Sequence, residues 1–275
     1  FMNLKNDKVL IIVILIVVLV IWYVWRHLKK KISMNNKLIV ANWKMSPNSW
    51  AEAVEILDSV DEYLGSLNER EFSLVFCPPF VFLEEVGKIL KTSHLEHNAE
   101  LGAQDIFWED KGSDTGEVSG PMLNKLGVRY VIVGHSERRW KLGESDETIN
   151  KKLKAVLRNA MVPIVCVGER VRDGGFKEFL KEQTEKTFAG LSHDELEKCI
   201  IAYEPVWAIS SNPGARPDTP KNAAESIEII KEVLFRNCPD FVEDPRYNRE
   251  KLEIRNSPKV LYGGSVTSKN VAEFV

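Results

Sequence analysis

The feature that most restricts how this chain can fold is the recurrence of short apolar runs separated by segments of helical period. The runs occupy 38–42, 73–77, 101–103, 130–133, 162–167, 200–203 and 260–262, the third being the weakest. Residues 145–157 and 220–235 carry apolar side chains at helical spacing, which predicts helices there. Start signals agree: Ser192 and Glu195 have capping-box spacing, and Thr219-Pro220 puts a proline at a first helical turn. Strands that alternate with helices pair in parallel and are covered on their faces, so the expected class is α/β. No low-complexity linker divides this pattern.

At 275 residues and 44% hydrophobic, the chain can bury the core of one large domain or two small ones. Residues 9–25 stand apart as an uninterrupted apolar run of 17 residues, just long enough to cross a bilayer's hydrocarbon core. Trp22, Tyr23 and Trp25 lie at its end and Arg26, Lys29, Lys30 and Lys31 follow, the order of an aromatic belt and a cytoplasmic basic flank. Residues 1–33 are therefore expected to be a membrane-anchor helix with a basic flank, tethering a cytoplasmic catalytic domain. The competing reading starts a soluble protein at Met34, whose sequence Met34-Asn35-Asn36-Lys37-Leu38 is an ordinary beginning. A cleaved secretory signal does not fit, because aromatics and bases stand where small residues are needed.

From Met34 onward there are 31 basic against 39 acidic residues, a net charge of −8 that excludes nucleic-acid binding by bulk charge. Any anionic ligand must then be held by local devices. Cys77, Cys166, Cys199 and Cys238 have no C-x-x-C spacing, and three lie in or beside apolar runs, so reduced thiols are expected rather than disulfides or zinc ligands. No phosphate-binding loop, dinucleotide fingerprint or metal-ligand cluster is present in the sequence.

Four polar segments close strands, the side on which parallel α/β proteins build their sites. They are Asn42-Trp43-Lys44-Met45, Gly134-His135-Ser136-Glu137-Arg138-Arg139, Tyr203-Glu204-Pro205-Val206-Trp207-Ala208-Ile209 and Tyr262-Gly263-Gly264-Ser265-Val266. A carboxylate at a strand end, followed at once by a proline-stiffened loop, is how a general base is placed beneath a movable lid. Gly134-His135-Ser136 is no nucleophile elbow, since Arg138 stands where a second glycine is required.

In this order the four segments resemble the triosephosphate isomerase family, and the resemblance runs from about Lys37 to the last residue. It implies a (β/α)8 TIM barrel over 34–275, preceded by the single apolar helix. It also implies the interconversion of dihydroxyacetone phosphate and D-glyceraldehyde 3-phosphate through an enediol, in glycolysis and gluconeogenesis, without metal or organic cofactor. In that family, a standard illustration of matched acid and base groups, a glutamate abstracts the proton and a neutral histidine meets the oxyanion. Those catalytic roles fall here on Glu204 and His135. Substrate contacts fall on Asn42, Lys44, Ser210 and Ser265. Glu137, Cys166 and Glu169 match positions near the site and are assigned supporting packing and charge roles. Thr115-Gly116-Glu117 resembles the family's loop that reaches into a neighbouring subunit, which implies a homodimer.

Two departures accompany the resemblance. The family's lid tip is short and glycine-rich, whereas this loop continues through Ser210-Ser211-Asn212-Pro213-Gly214-Ala215-Arg216-Pro217-Asp218. Ser210 replaces the glycine whose amide meets the phosphate, and a backbone donor survives that change. The family's eighth βα unit, with its own glycine pair at the phosphate, is not in the sequence, so the barrel is expected to be C-terminally incomplete.

Overall fold

The computed structural model describes residues 37–66, 72–236 and 258–274. The apolar run 9–25 and Cys238 lie outside the described residues. Among the described residues, no helix is long and apolar enough to cross a membrane.

Among the described residues, seven strands pair in chain order, every neighbouring pair parallel. They are β1 (Lys37–Asn42), β2 (Phe72–Cys77), β3 (Ala99–Ala103), β4 (Tyr130–Val133), β5 (Val162–Val167), β6 (Ile200–Tyr203) and β7 (Lys259–Tyr262). They form a nearly closed TIM barrel wrapped by helices, as the alternating pattern predicts. β3 begins two residues earlier than its weak apolar run, because Ala99 and Glu100 pair with Leu74 and Val75 of β2.

The helices are α1 (Trp50–Gly65), α2 (Leu83–Ile89), α3 (Gly120–Lys125), α4 (Ser136–Lys141), α5 (Asp146–Arg158), α6 (Phe176–Thr187), α7 (His193–Leu196), α8 (Pro220–Arg236) and α9 (Val271–Phe274). Their starts obey local chemistry. Ser145 caps α5 by accepting the Thr148 amide, and Ser192 and Glu195 close a reciprocal capping box on α7. Pro220 opens α8, where a missing amide costs nothing.

Strand alternation divides the core into two layers. Val75, Cys77, Ile132, Ile164, Cys166, Ile200 and Ala202 pack together inside the barrel. Their neighbours Phe76, Val131, Val133, Val165, Val167, Ile201 and Tyr203 point outward into the larger cluster beneath the helices. Cys77 and Cys166 are buried free thiols, and burial pushes both well above the usual thiol range.

One buried charge cluster fixes α4 and α5 to the end of β3. Lys152 Nζ lies 2.8 and 2.7 Å from the two Asp105 oxygens and 2.6 Å from Glu144 Oε1. Arg138 reaches the same two carboxylates, at 2.8 Å and 2.7 Å. Burial raises the Asp105 carboxyl above its ordinary range even though both cations oppose that shift. Removing one cation from such a set leaves a buried carboxylate uncompensated. Lys152→Met is expected to reduce unfolding free energy by about 3–5 kcal/mol, read from the denaturant midpoint; an unchanged midpoint would show that Arg138 alone compensates the cluster.

Candidate active site

The ends of β1, β4, β6 and β7 bring the four polar segments onto one rim. Glu204 follows β6 directly and is buried, with 4% relative exposure, so its carboxylate is desolvated as a useful base requires. Three donors surround it. The Ser136 amide reaches Oε2 at 2.9 Å, the Ser136 hydroxyl reaches Oε1 at 3.0 Å, and His135 Nε2 lies 2.9 Å from Oε1. The Glu204 carboxylate is thus held against the start of α4.

His135 is the N-cap of α4, and its Nδ1 accepts the Glu137 amide at 3.3 Å. That bond reserves the Nδ1 lone pair, so in the neutral ring the proton sits on Nε2, the nitrogen aimed at Glu204. A ring fixed in this tautomer is a hydrogen-bond donor toward the site.

Lys44 stands just beyond β1 in the left-handed region, with φ of 56°. A non-glycine residue rarely adopts that conformation without support. Here Asn42 Oδ1 accepts the Lys44 amide at 3.0 Å, while Gln104 Nε2 donates to the Lys44 carbonyl at 2.9 Å and to the Cys77 carbonyl at 2.9 Å. Asn42 therefore positions Lys44. Lys44 Nζ meets Glu137 Oε1 at 3.1 Å, and Glu137 Oε2 lies 3.6 Å from His135 Nδ1. Partial burial would raise the Glu137 carboxyl, but the Lys44 hydrogen bond and charge outweigh it and hold the group below its usual range.

Beneath the lid, Glu169 is the common acceptor. Its Oε1 takes Trp207 Nε1 at 2.9 Å, the Tyr203 hydroxyl at 2.9 Å and Arg172 at 3.1 Å, while its carbonyl takes the Val206 amide at 3.0 Å. Arg172 continues to Ser226 at 2.9 Å and Glu225 at 2.7 Å, and Arg216 lies over the Trp207 ring at 5.2 Å. The start of the lid is anchored to β5, β6 and α8 together. Just beyond the lid root, the Ser210 amide donates to Ser265 Oγ at 2.7 Å, so these two expected substrate contacts meet each other.

All six expected site residues occupy this rim. Sequence reasoning missed Ser136 as the holder of Glu204, Gln104 as the brace under Lys44, and Gly168. Ser136 was visible inside its motif, but only the fold aims its amide at a residue 68 positions away. Gly168 carried no signal of its own.

The rim defines a barrel enzyme with a desolvated carboxylate and an oriented imidazole at adjoining strand ends. A sequence model described as Triosephosphate isomerase matches residues 37–275. Curated proteins named triosephosphate isomerase are similar over most of their length. The one from Thermoanaerobacter sp. (strain X514) is 39% identical over 88% of this chain and 90% of its own. The protein from Moorella thermoacetica is 40% identical over 88% and 89%, and that from Acetivibrio thermocellus 39% over 87% and 88%. The chain belongs to the triosephosphate isomerase family.

Gly168 supplies a direct check on how Glu204 is seated. A Cβ there would run into the Glu204 carbonyl oxygen and carbon, backbone atoms that yield only if the end of β6 moves. Gly168→Ala is expected to lower turnover by about 100-fold, the scale of a misplaced catalytic group. A folded variant with unaltered turnover would show that Glu204 tolerates displacement of its own backbone.

Proposed function

We propose that the chain interconverts dihydroxyacetone phosphate and D-glyceraldehyde 3-phosphate by proton transfer through an enediol. The observation that carries this reading is the pairing of buried Glu204 with the Nε2 side of His135 at 2.9 Å, with Lys44 on the same rim. Glu204 takes the proton from the carbon beside the carbonyl, and it does so as the only group in the set that is both basic and desolvated. His135 donates from Nε2 to the oxygen on which negative charge develops, a preorganised donor that needs no reorganisation at the moment of reaction. Lys44 adds positive charge near the phosphate and the enediolate. Ser210 and Ser265 supply backbone amides to the phosphate. Glu169 and Trp207 hold the root of the lid that excludes water. Side chains supply both the base and the electrophile, so the mechanism as drawn calls on no metal or organic cofactor.

Glu204→Gln keeps the shape and removes the base. Turnover with glyceraldehyde 3-phosphate is expected to fall by about 10²- to 10⁴-fold, measured with the purified variant beside the unaltered chain. Near-normal turnover would remove Glu204 from its role.

We propose further that residues 34–275 form the catalytic domain and residues 1–33 a membrane tether that keeps it at the cytoplasmic face. Support for the tether comes from the apolar run 9–25 with its aromatic end and basic flank. The domain pairs with a second copy through Thr115-Gly116-Glu117, an exposed loop whose base is pinned by the Phe107 amide on the Val118 carbonyl at 2.9 Å. The tethered protein is expected to stay with membranes through a high-salt wash, since screening does not weaken apolar insertion. Recovery of all activity in the soluble fraction, with Met34 as first residue, would establish the alternative start.

A further inference from the structure

Glu204 lies where the ends of β5 and β6 meet the start of α4, and one helix that carries no expected site residue grips that junction from two sides. α6 buries Leu180, Gln183, Thr184 and Thr187. Gln183 and Thr187 stand four positions apart and so share one face of the helix. Thr187 Oγ1 accepts Arg139 Nη2 at 3.2 Å, and the same guanidinium donates to the Gly134 carbonyl at 2.8 Å and to the Cys166 carbonyl at 3.1 Å. Gly134 precedes His135, so this end of the helix face steadies the start of α4.

Gln183 acts on the other side of Glu204. Its Oε1 accepts the Gly168 amide at 2.7 Å, and the residue is buried, with 4% relative exposure. The last pair between β4 and β5 is Val133 with Val165, and the last between β5 and β6 is Val167 with Tyr203. Gly168 therefore lies beyond both ladders. A buried amide in that position needs an acceptor from a side chain, and Gln183 supplies it.

Gly168 passes its position on to Glu204. The two backbones touch, for a Cβ on Gly168 would meet the Glu204 carbonyl oxygen, carbonyl carbon and Cα. The residues on either side of Gly168 hold the same stretch: the Val167 carbonyl accepts the Glu204 amide at 2.8 Å, and the Glu169 carbonyl accepts the Val206 amide at 3.0 Å. A turn of the Gly168 peptide moves all three contacts together.

We propose that Gln183 is a positioning residue for Glu204. By accepting the Gly168 amide it fixes the end of β5, and the end of β5 sets where the Glu204 backbone lies and so where its carboxylate reaches. Gln183 acts through Gly168 and touches no reacting atom. This inference rests on reading Glu204 as the base.

The test uses the 275-residue chain carrying Gln183→Met, which keeps the length of the side chain and removes the acceptor, or Gln183→Glu, which keeps an acceptor oxygen. With glyceraldehyde 3-phosphate, kcat of the Met variant is expected to fall about ten-fold, less than a full ångström of misplacement costs. KM should hold within about two-fold, because Lys44, Ser210 and Ser265 are untouched. The Glu variant should keep kcat within about three-fold of the unaltered chain. In a Glu204→Gln background the Met change should make no further difference to kcat, because the base that Gln183 positions is already gone. A merely structural role would lower kcat by the same factor in both backgrounds. Hydrogen exchange reads the seating without turnover: the Glu204 amide should exchange about ten-fold faster in the Met variant while the β2 amides do not change. Should the Met variant not fold, Gln183→Asn, one methylene shorter, withdraws the acceptor and carries the same expectations. An unchanged kcat, a Glu variant no better than the Met one, equal losses in the two backgrounds, or an unchanged Glu204 amide would overturn the proposal. An unaltered chain that turns over no triose phosphate would sink the isomerase reading, while exchange at the Glu204 amide still decides whether Gln183 seats it.

Discussion

Parallel pairing in chain order is the constraint on which the rest of this molecule depends. Because every strand runs the same way, every strand ends on the same rim, and each return helix carries the chain back to the opposite side. Residues as far apart in sequence as Asn42, His135, Glu204 and Ser265 are thereby delivered to one rim. The alternation of side chains along each strand then separates a narrow inner layer of small and branched residues from the outer layer that holds the helices.

Within the rim, polar groups are held by other polar groups in a relay. Asn42 and Gln104 hold Lys44, Lys44 meets Glu137, the Glu137 amide fixes the His135 ring, and His135 faces Glu204. Each link leaves the next with one orientation rather than several, which is how a site gains geometry before a ligand arrives. The charge cluster of Asp105, Arg138, Glu144 and Lys152 lies beneath α4 and keeps that helix, and so the His135 ring, in place.

The lid follows a different rule. Its root is locked by the Glu169 acceptor, which takes Trp207, Tyr203 and Arg172 at once. Its longer tip carries Pro213 and Pro217, which restrict the backbone where the family has glycines.

Much of this was legible in the chain itself. The seven apolar runs, the cap at Ser145, the capping box at Ser192 and the proline opening α8 all depend on residues within a few positions of each other, and local chemistry decides them. The candidate site residues could be named from sequence because they sit in contiguous motifs at strand ends. What the sequence left open depends on atoms brought together from distant strands. The amide of Ser136 on Glu204, the two carbonyls bridged by Gln104 and the closeness of Gly168 to Glu204 have no local signature. Sequence fixes which residues can donate, accept or bury; which of them meet is decided by register and barrel curvature, because hydrogen bonds are sensitive to tenths of an ångström while a sequence pattern carries no distance.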